Sequence, residues 1–150
     1  MTRWLAHLEK EGELLRITEP VDVELEAGAI ADRLVKSGGS AVLFEKPRLP
    51  NGEISEIPLA MNLFGTHDRS LRELDASHPT EVGERLVALM KPDIGKIVKR
   101  PWTGLPLLRD AMSMPPKKVR KGYCQRIRME TDVTLLPIPK SWPMDGGRYI

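Results

Sequence analysis

The run Trp142-Pro143-Met144-Asp145-Gly146-Gly147-Arg148-Tyr149 brings a carboxylate, two glycines and a cation within eight positions. Two kinds of chemistry suit it. Asp-Gly between extended segments is a turn signal, because glycine accepts positive φ and aspartate bonds to nearby backbone amides. The glycines would then be a hinge and Trp142 part of the core. Alternatively, Gly146 and Gly147 admit a bound group close to the backbone while Arg148 supplies positive charge. A second concentration of charge is Lys117, Lys118, Arg120 and Lys121. It reads as a solvated linker, as an electrostatic contact for a phosphate or a neighbouring subunit, or as a nucleic-acid surface. No interleaved aromatic residues or DNA-binding helix accompany it.

The remaining reactive types are scattered. His7, His67 and His78 lie far apart with no serine or cysteine nucleophile pattern, so each is expected at the surface or at a helix cap. Cys124, the single cysteine, has no internal disulfide partner and reads as inert packing; nearby cations would lower its pKa if it were exposed. Glu9, Glu11 and Glu13 crowd a helix end and read as solvated. No Cys/His spacing resembles a zinc site, so a metal would need oxygen ligands or ligands from outside this segment.

These residues must be positioned by elements whose periods are visible. A short helix opening at Thr2 places Trp4, Leu5 and Leu8 on one face and stops at Gly12. Leu14 to Ile17 reads as a strand. From Glu24 to Lys36, Ala27, Ile30, Ala31, Leu34 and Val35 form one helical stripe that ends at Gly38. Glu24 and Glu26 suit its positive end, Arg33 and Lys36 its negative end. Ala41 to Phe44 and Ile57 to Leu63 are apolar runs expected as buried strands, with Pro50, Asn51 and Gly52 turning between them. A helix after Pro79 sets Val82, Leu86, Leu89 and Met90 on one face and stops before Pro92. Gly104 to Met114 has room for a short helix only. Tyr123 to Met129 alternates apolar and basic side chains and reads as a strand. Pro137, Pro139 and Pro143 forbid a helix. Helix and strand thus alternate, which predicts a layered α/β domain: a mixed sheet flanked by helices over residues 1–113, followed by a second region over 114–150.

Composition agrees. With 41% hydrophobic and 29% charged residues, the 150-residue chain falls among ordinary globular proteins rather than disordered ones. No apolar run approaches the ~20 residues of a bilayer crossing, and the N-terminus lacks a signal-peptide pattern, which points to the cytoplasm. Residues 1–90 carry 16 acidic against 10 basic side chains, and the rest 5 against 13, so the net charge of +2 divides into −6 and +8. The second part is therefore inclined towards an anionic partner.

Four segments resemble the N-terminal region of UbiD-type decarboxylases in their order: Leu8 to Ile17 (LEKEGELLRI), Glu26 to Lys46 (EAGAIADRLVKSGGSAVLFEK), Met61 to Thr66 (MNLFGT) and Leu136 to Ile150 (LPIPKSWPMDGGRYI). The resemblance implies a carboxy-lyase performing reversible, non-oxidative decarboxylation of an aromatic or α,β-unsaturated carboxylic acid, such as the quinone precursor 3-polyprenyl-4-hydroxybenzoate of ubiquinone biosynthesis. It implies prenylated FMN as cofactor, held with Mn2+ and K+ in a split β-barrel that residues 114–150 would open. It also implies a flavin prenyltransferase as cofactor supplier and a homo-oligomer, with no nucleic-acid partner. The family's metal-binding asparagine, histidine and glutamate and its Arg/Glu catalytic group fall downstream of the DGG string. No catalytic, cofactor-binding or metal residue is thus assigned here, and the segment alone is expected to be inactive and to bind no flavin tightly. Two alternatives need no such chemistry: an accessory subunit of a separate decarboxylase, and a basic nucleic-acid-binding module.

Overall fold

The computed structural model describes residues 2–91, 101–113, 115–116, 118–122, 125–126, 128 and 132–148. Its contacts divide the chain into two compact units, Met1–Ser70 with Glu130–Ile150, and Leu71–Met129.

The first unit is built on a three-stranded mixed sheet in the order β1 (Leu14–Asp22), β2 (Ala41–Arg48), β3 (Leu59–Met61). Strand β2 is central because it is apolar on both faces: Ala41, Val42, Leu43 and Phe44 are all buried, giving a continuous run in place of an alternating one. It runs parallel to β1, pairing Leu14 with Ala41 and Ile17 with Phe44, and antiparallel to β3. Parallel neighbours need a crossover, and helix α2 (Glu26–Lys36) supplies it. Most of the expected stripe of α2 faces the sheet, Ala27, Ile30 and Leu34 packing with Val21, Val42 and Phe44, whereas Val35 is 48% exposed. The helix starts two residues later than its pattern suggested, because Leu25 takes a left-handed φ of 69°. Helix α1 (Thr2–Lys10) places Trp4 and Leu8 against Ala41, Leu14 and Leu63.

All three strands differ from expectation in length, β2 continuing past Phe44 to Arg48. β1 runs on past Ile17 to Asp22 because β2 offers it partners, although the register shifts before Pro20, which has no N–H to give the ladder. β3 is cut short by Asn62, whose φ of 57° turns the chain.

In the second unit, helix α4 (Pro79–Met90) starts at His78, whose Nδ1 accepts from the Thr80 amide at 3.2 Å. Glu81 reaches back to accept from the Ser77 amide at 2.7 Å, so both ends of the first turn are satisfied. A 3₁₀ turn (Pro101–Gly104) leads into helix α5 (Leu105–Ser113). Helix α3 (His67–Glu73) lies at the division between the units. The apolar face expected on α4 exists as a pattern but is not covered: no residue of α4 is buried, and Leu86 and Met90 are exposed. The strand expected over Tyr123 to Met129 rests on Tyr123, Cys124, Ile127 and Met129, which lie outside the described residues. Of the described residues nearby, the Gln125 amide donates to the Gly122 carbonyl.

Candidate functional site

Buried polar groups concentrate where β3 ends. Asn62 leaves the strand and donates from Nδ2 to the Ser40 carbonyl at 2.9 Å. Its Oδ1 is buried without a hydrogen-bond partner and lies against Gly65, where a Cβ would fall 1.6 Å away. A side chain at residue 65 would therefore displace that of Asn62. Arg69, one turn further, is 1% exposed although charged. Its Nε donates to Thr66 Oγ1 at 3.1 Å, Nη1 to the Asn62 carbonyl at 3.1 Å and Nη2 to the Gly39 carbonyl at 2.6 Å. Glu13 stands 3.8 Å from Nε. A planar cation that donates in several directions thus fastens the α2–β2 loop, the β3 end and α3 together. A recess of about 280 Å³ opens beside it, lined by Glu13, Gly38, Gly39, Ser40, Thr66, Asp68 and Arg69. Trp4 holds the chain just before this cluster, stacking on Phe64 at 5.8 Å and donating to the Leu63 carbonyl at 3.4 Å.

The second concentration is the C-terminal segment. Asp132 caps a 3₁₀ turn (Val133–Leu135) by accepting from Thr134 Oγ1 at 2.6 Å and the Thr134 amide at 2.8 Å. The Thr134 hydroxyl, and then its amide, hold this carboxyl below the usual aspartate range. The prolines keep the following chain extended, with Pro137 buried. The Lys140 amide donates to the Val23 carbonyl at 3.0 Å, and the Leu25 amide to the Lys140 carbonyl at 2.8 Å. The segment is thereby bound to the chain between β1 and α2, and the Glu24 carboxylate faces both Arg148 at 3.6 Å and Lys140 at 4.0 Å. Pro50, Asn51, Val133, Thr134, Ile138 and Arg148 enclose a mostly apolar recess of about 540 Å³.

Of the residues singled out from sequence, the DGG string was expected to make the turn, but the hydrogen-bonded turn falls just before it, over Trp142 to Asp145. Asp145 ends it: its Oδ2 accepts from the Trp142 amide at 2.9 Å, and its own amide donates to the Trp142 carbonyl. Pro143 presets the turn. Trp142 was expected in the core and is instead 56% exposed, because the turn aims it outward. A Cβ on Gly147 would meet nothing within 4 Å. His78 is a helix cap, as expected, and His7 stacks on Trp4 at 5.3 Å. The glutamate cluster is less idle than its composition suggested. Glu9 grips Arg16, which also donates to Glu45 at 2.8 Å. That hydrogen bond from Arg16 lowers the Glu9 pKa below the ordinary glutamate range. Lys118, Arg120 and Lys121 are exposed, Lys117 lies outside the described residues, and Lys121, Gly122, Gln125, Arg126 and Arg128 line a basic groove of about 700 Å³. Sequence reasoning missed Arg69, Asn62 and Gly28. Only the Asn62-x-x-Gly65 spacing, which marks a turn, gave any sign.

This is machinery for seating one part of a chain on another. Among the described residues no three His, Cys, Asp or Glu side chains converge to hold a metal ion, so no metal-dependent step is built on them. None of the described helices is long and apolar enough to cross a membrane.

The sequence pattern of the 3-octaprenyl-4-hydroxybenzoate carboxy-lyase N-terminal domain matches residues 5–90, which include the sheet, most of α1, α2 and the Arg69 cluster. The chain belongs to the UbiD family. The resemblance read in Leu8 to Ile17, Glu26 to Lys46 and Met61 to Thr66 is therefore borne out. Two solved structures of the UbiD-class enzyme HmfF from Pelotomaculum thermopropionicum share the fold, one an evolved dimeric form in complex with prFMN and one in complex with FMN. Each is 23% identical with a TM-score of 0.50 and covers 61% of this chain. This UbiD-family chain covers 20% and 19% of theirs, so it spans about a fifth of their length.

Proposed function

We propose that the chain is the N-terminal part of a carboxy-lyase that performs reversible, non-oxidative decarboxylation of an aromatic or α,β-unsaturated carboxylic acid, with a quinone precursor as one candidate. Membership of the UbiD family over residues 5–90 is the observation that carries this reading. The two HmfF structures, bound to prFMN and to FMN, favour prenylated FMN as the cofactor. When bound, that cofactor supplies the electron sink for loss of carbon dioxide. Its Mn2+ and K+ are proposed to be held by residues outside this chain, as the family resemblance implies. Residues 1–113 act as the α/β platform, and 114–150 open the flavin-binding split barrel. The whole enzyme works in the cytoplasm as a homo-oligomer and depends on a flavin prenyltransferase. What the chain's own residues do is bind and orient: the Arg69 cluster stiffens the platform, and the seam at Val23 to Leu25 holds the segment leading to the barrel.

The test is to produce the whole polypeptide with a flavin prenyltransferase, then measure bound flavin and carbon dioxide release from a panel of aromatic and acrylic acids. Stoichiometric flavin with turnover is expected. A whole polypeptide that carries no flavin and releases no carbon dioxide overturns the reading. A stoichiometric flavin spectrum from residues 1–150 alone would show that the cofactor site has been placed in the wrong part of the protein.

A further inference from the structure

Helix α2 and the C-terminal segment meet at an approach that only glycine permits. Ser141 Cα lies 2.9 Å from the point a Cβ on residue 28 would occupy, and Ser141 Cβ and O lie 3.3 Å from it. Ser141 thus rests on bare helix backbone. Gly28 is buried in the body of α2, a place where alanine favours the helix about fivefold. Helix formation gives no reason for a glycine there, whereas the contact with Ser141 does. Gly83 in α4 provides the comparison, since a Cβ there would meet nothing within 4 Å. Next to the Gly28 contact, two backbone hydrogen bonds link Lys140 to Val23 and Leu25, and Glu24 draws in both Lys140 and Arg148.

Resting on the reading of the chain as the N-terminal part of a flavin-dependent carboxy-lyase, we propose that Gly28 and Glu24 are positioning residues. The bare Cα of Gly28 sets how closely Leu136 to Arg148 is seated on α2 and the link that precedes it. Glu24 fixes that segment's charged side chains. Together they set the placement of the cofactor-binding part that follows. Neither residue touches the reacting atoms; both act through the segment they hold.

Gly28→Ala, Gly83→Ala and Glu24→Gln in this chain test the seat by amide hydrogen exchange. Gly28→Ala is expected to speed exchange of the Leu25 and Lys140 amides at least tenfold. Gly83→Ala is expected to slow exchange within α4 about fivefold and leave the seam alone. Glu24→Gln adds no bulk and keeps the test open if Gly28→Ala prevents folding; about threefold faster exchange at Lys140 is expected from loss of a solvent-exposed charge pair. If Gly28→Ala slows exchange across α2 with Leu25 and Lys140 unchanged, or if Glu24→Gln leaves Lys140 unchanged, that residue does not seat the segment and its part of the proposal is overturned.

The same two substitutions in the whole enzyme read positioning. Flavin content is expected to be retained while the circular dichroism of the bound flavin changes and kcat falls about tenfold, with KM altered less. An unchanged flavin spectrum and kcat overturn the positioning role. A wild-type whole enzyme without flavin sinks the functional reading and the positioning role together, while the exchange result judges the Gly28 seat by itself.

Discussion

Replacing Arg69 with methionine tests whether one buried cation organises the N-terminal sheet unit. Methionine keeps most of the apolar stem but removes every donor. The Gly39 carbonyl loses its 2.6 Å partner and keeps only a 3.4 Å contact from Asn62 Nδ2. The Asn62 carbonyl loses a 3.1 Å partner and keeps a 3.4 Å contact from the Gly65 amide. Leaving a buried polar group poorly satisfied costs about 1–3 kcal/mol, so two such carbonyls suggest about 2–6 kcal/mol. Relief from burying the charge offsets part of this, which leaves a net loss of about 3 kcal/mol. Urea unfolding followed by far-UV circular dichroism should show that loss. Exchange of the Val42 and Phe44 amides, which open with the sheet unit, should rise by about 100-fold. Arg69→Lys should fall between, because an ammonium cannot reach all three acceptors at once. A loss below about 1 kcal/mol for Arg69→Met, with unchanged exchange in β2, would refute the reasoning.

Gly65→Ala forces a Cβ to 1.6 Å from Asn62 Oδ1; Asn62 must rotate and give up its bond to Ser40, and a loss of about 2 kcal/mol in urea unfolding is expected. His78→Ala removes the side-chain cap of α4 and should cost about 1 kcal/mol, read as faster amide exchange in its first turn. Glu9 titrates below the ordinary glutamate range because Arg16 stabilises its charged form. The stabilisation from this pair is therefore fully present above that range and is lost as pH falls through the depressed value. An NMR titration of the Glu9 carboxyl should show the low midpoint and its return towards the usual range in Arg16→Gln.

The sequence made some elements legible because local pattern and tertiary environment agree there. The α2 stripe and the four-residue run of β2 are examples: a helix lying on a sheet keeps one face apolar, and a central strand keeps both. Where distant partners decide, the pattern was silent. Arg69 sits among the charges of His67–Glu73, a composition that reads as a solvated helix; its burial follows from carbonyls at positions 39 and 62. The far half of β1 contains Glu19 and Pro20, poor strand residues, and exists because β2 is there to pair with it. At the DGG string the residue types called for a turn but not for which amide Asp145 would take. The family's identity was written in ordered short segments rather than in any one side chain.

The sheet order also bears on assembly while the chain folds. Among the described residues strand β1 pairs with β2 alone, and an edge strand of this kind can recruit a second chain into a growing ladder until it is covered. The break in register between Ile17 and Pro20 interrupts that template after Leu14 to Ile17. An incoming strand finds only a short run of regular geometry before that break. The irregularity thereby guards against misassembly while the chain is young and its sheet still exposed.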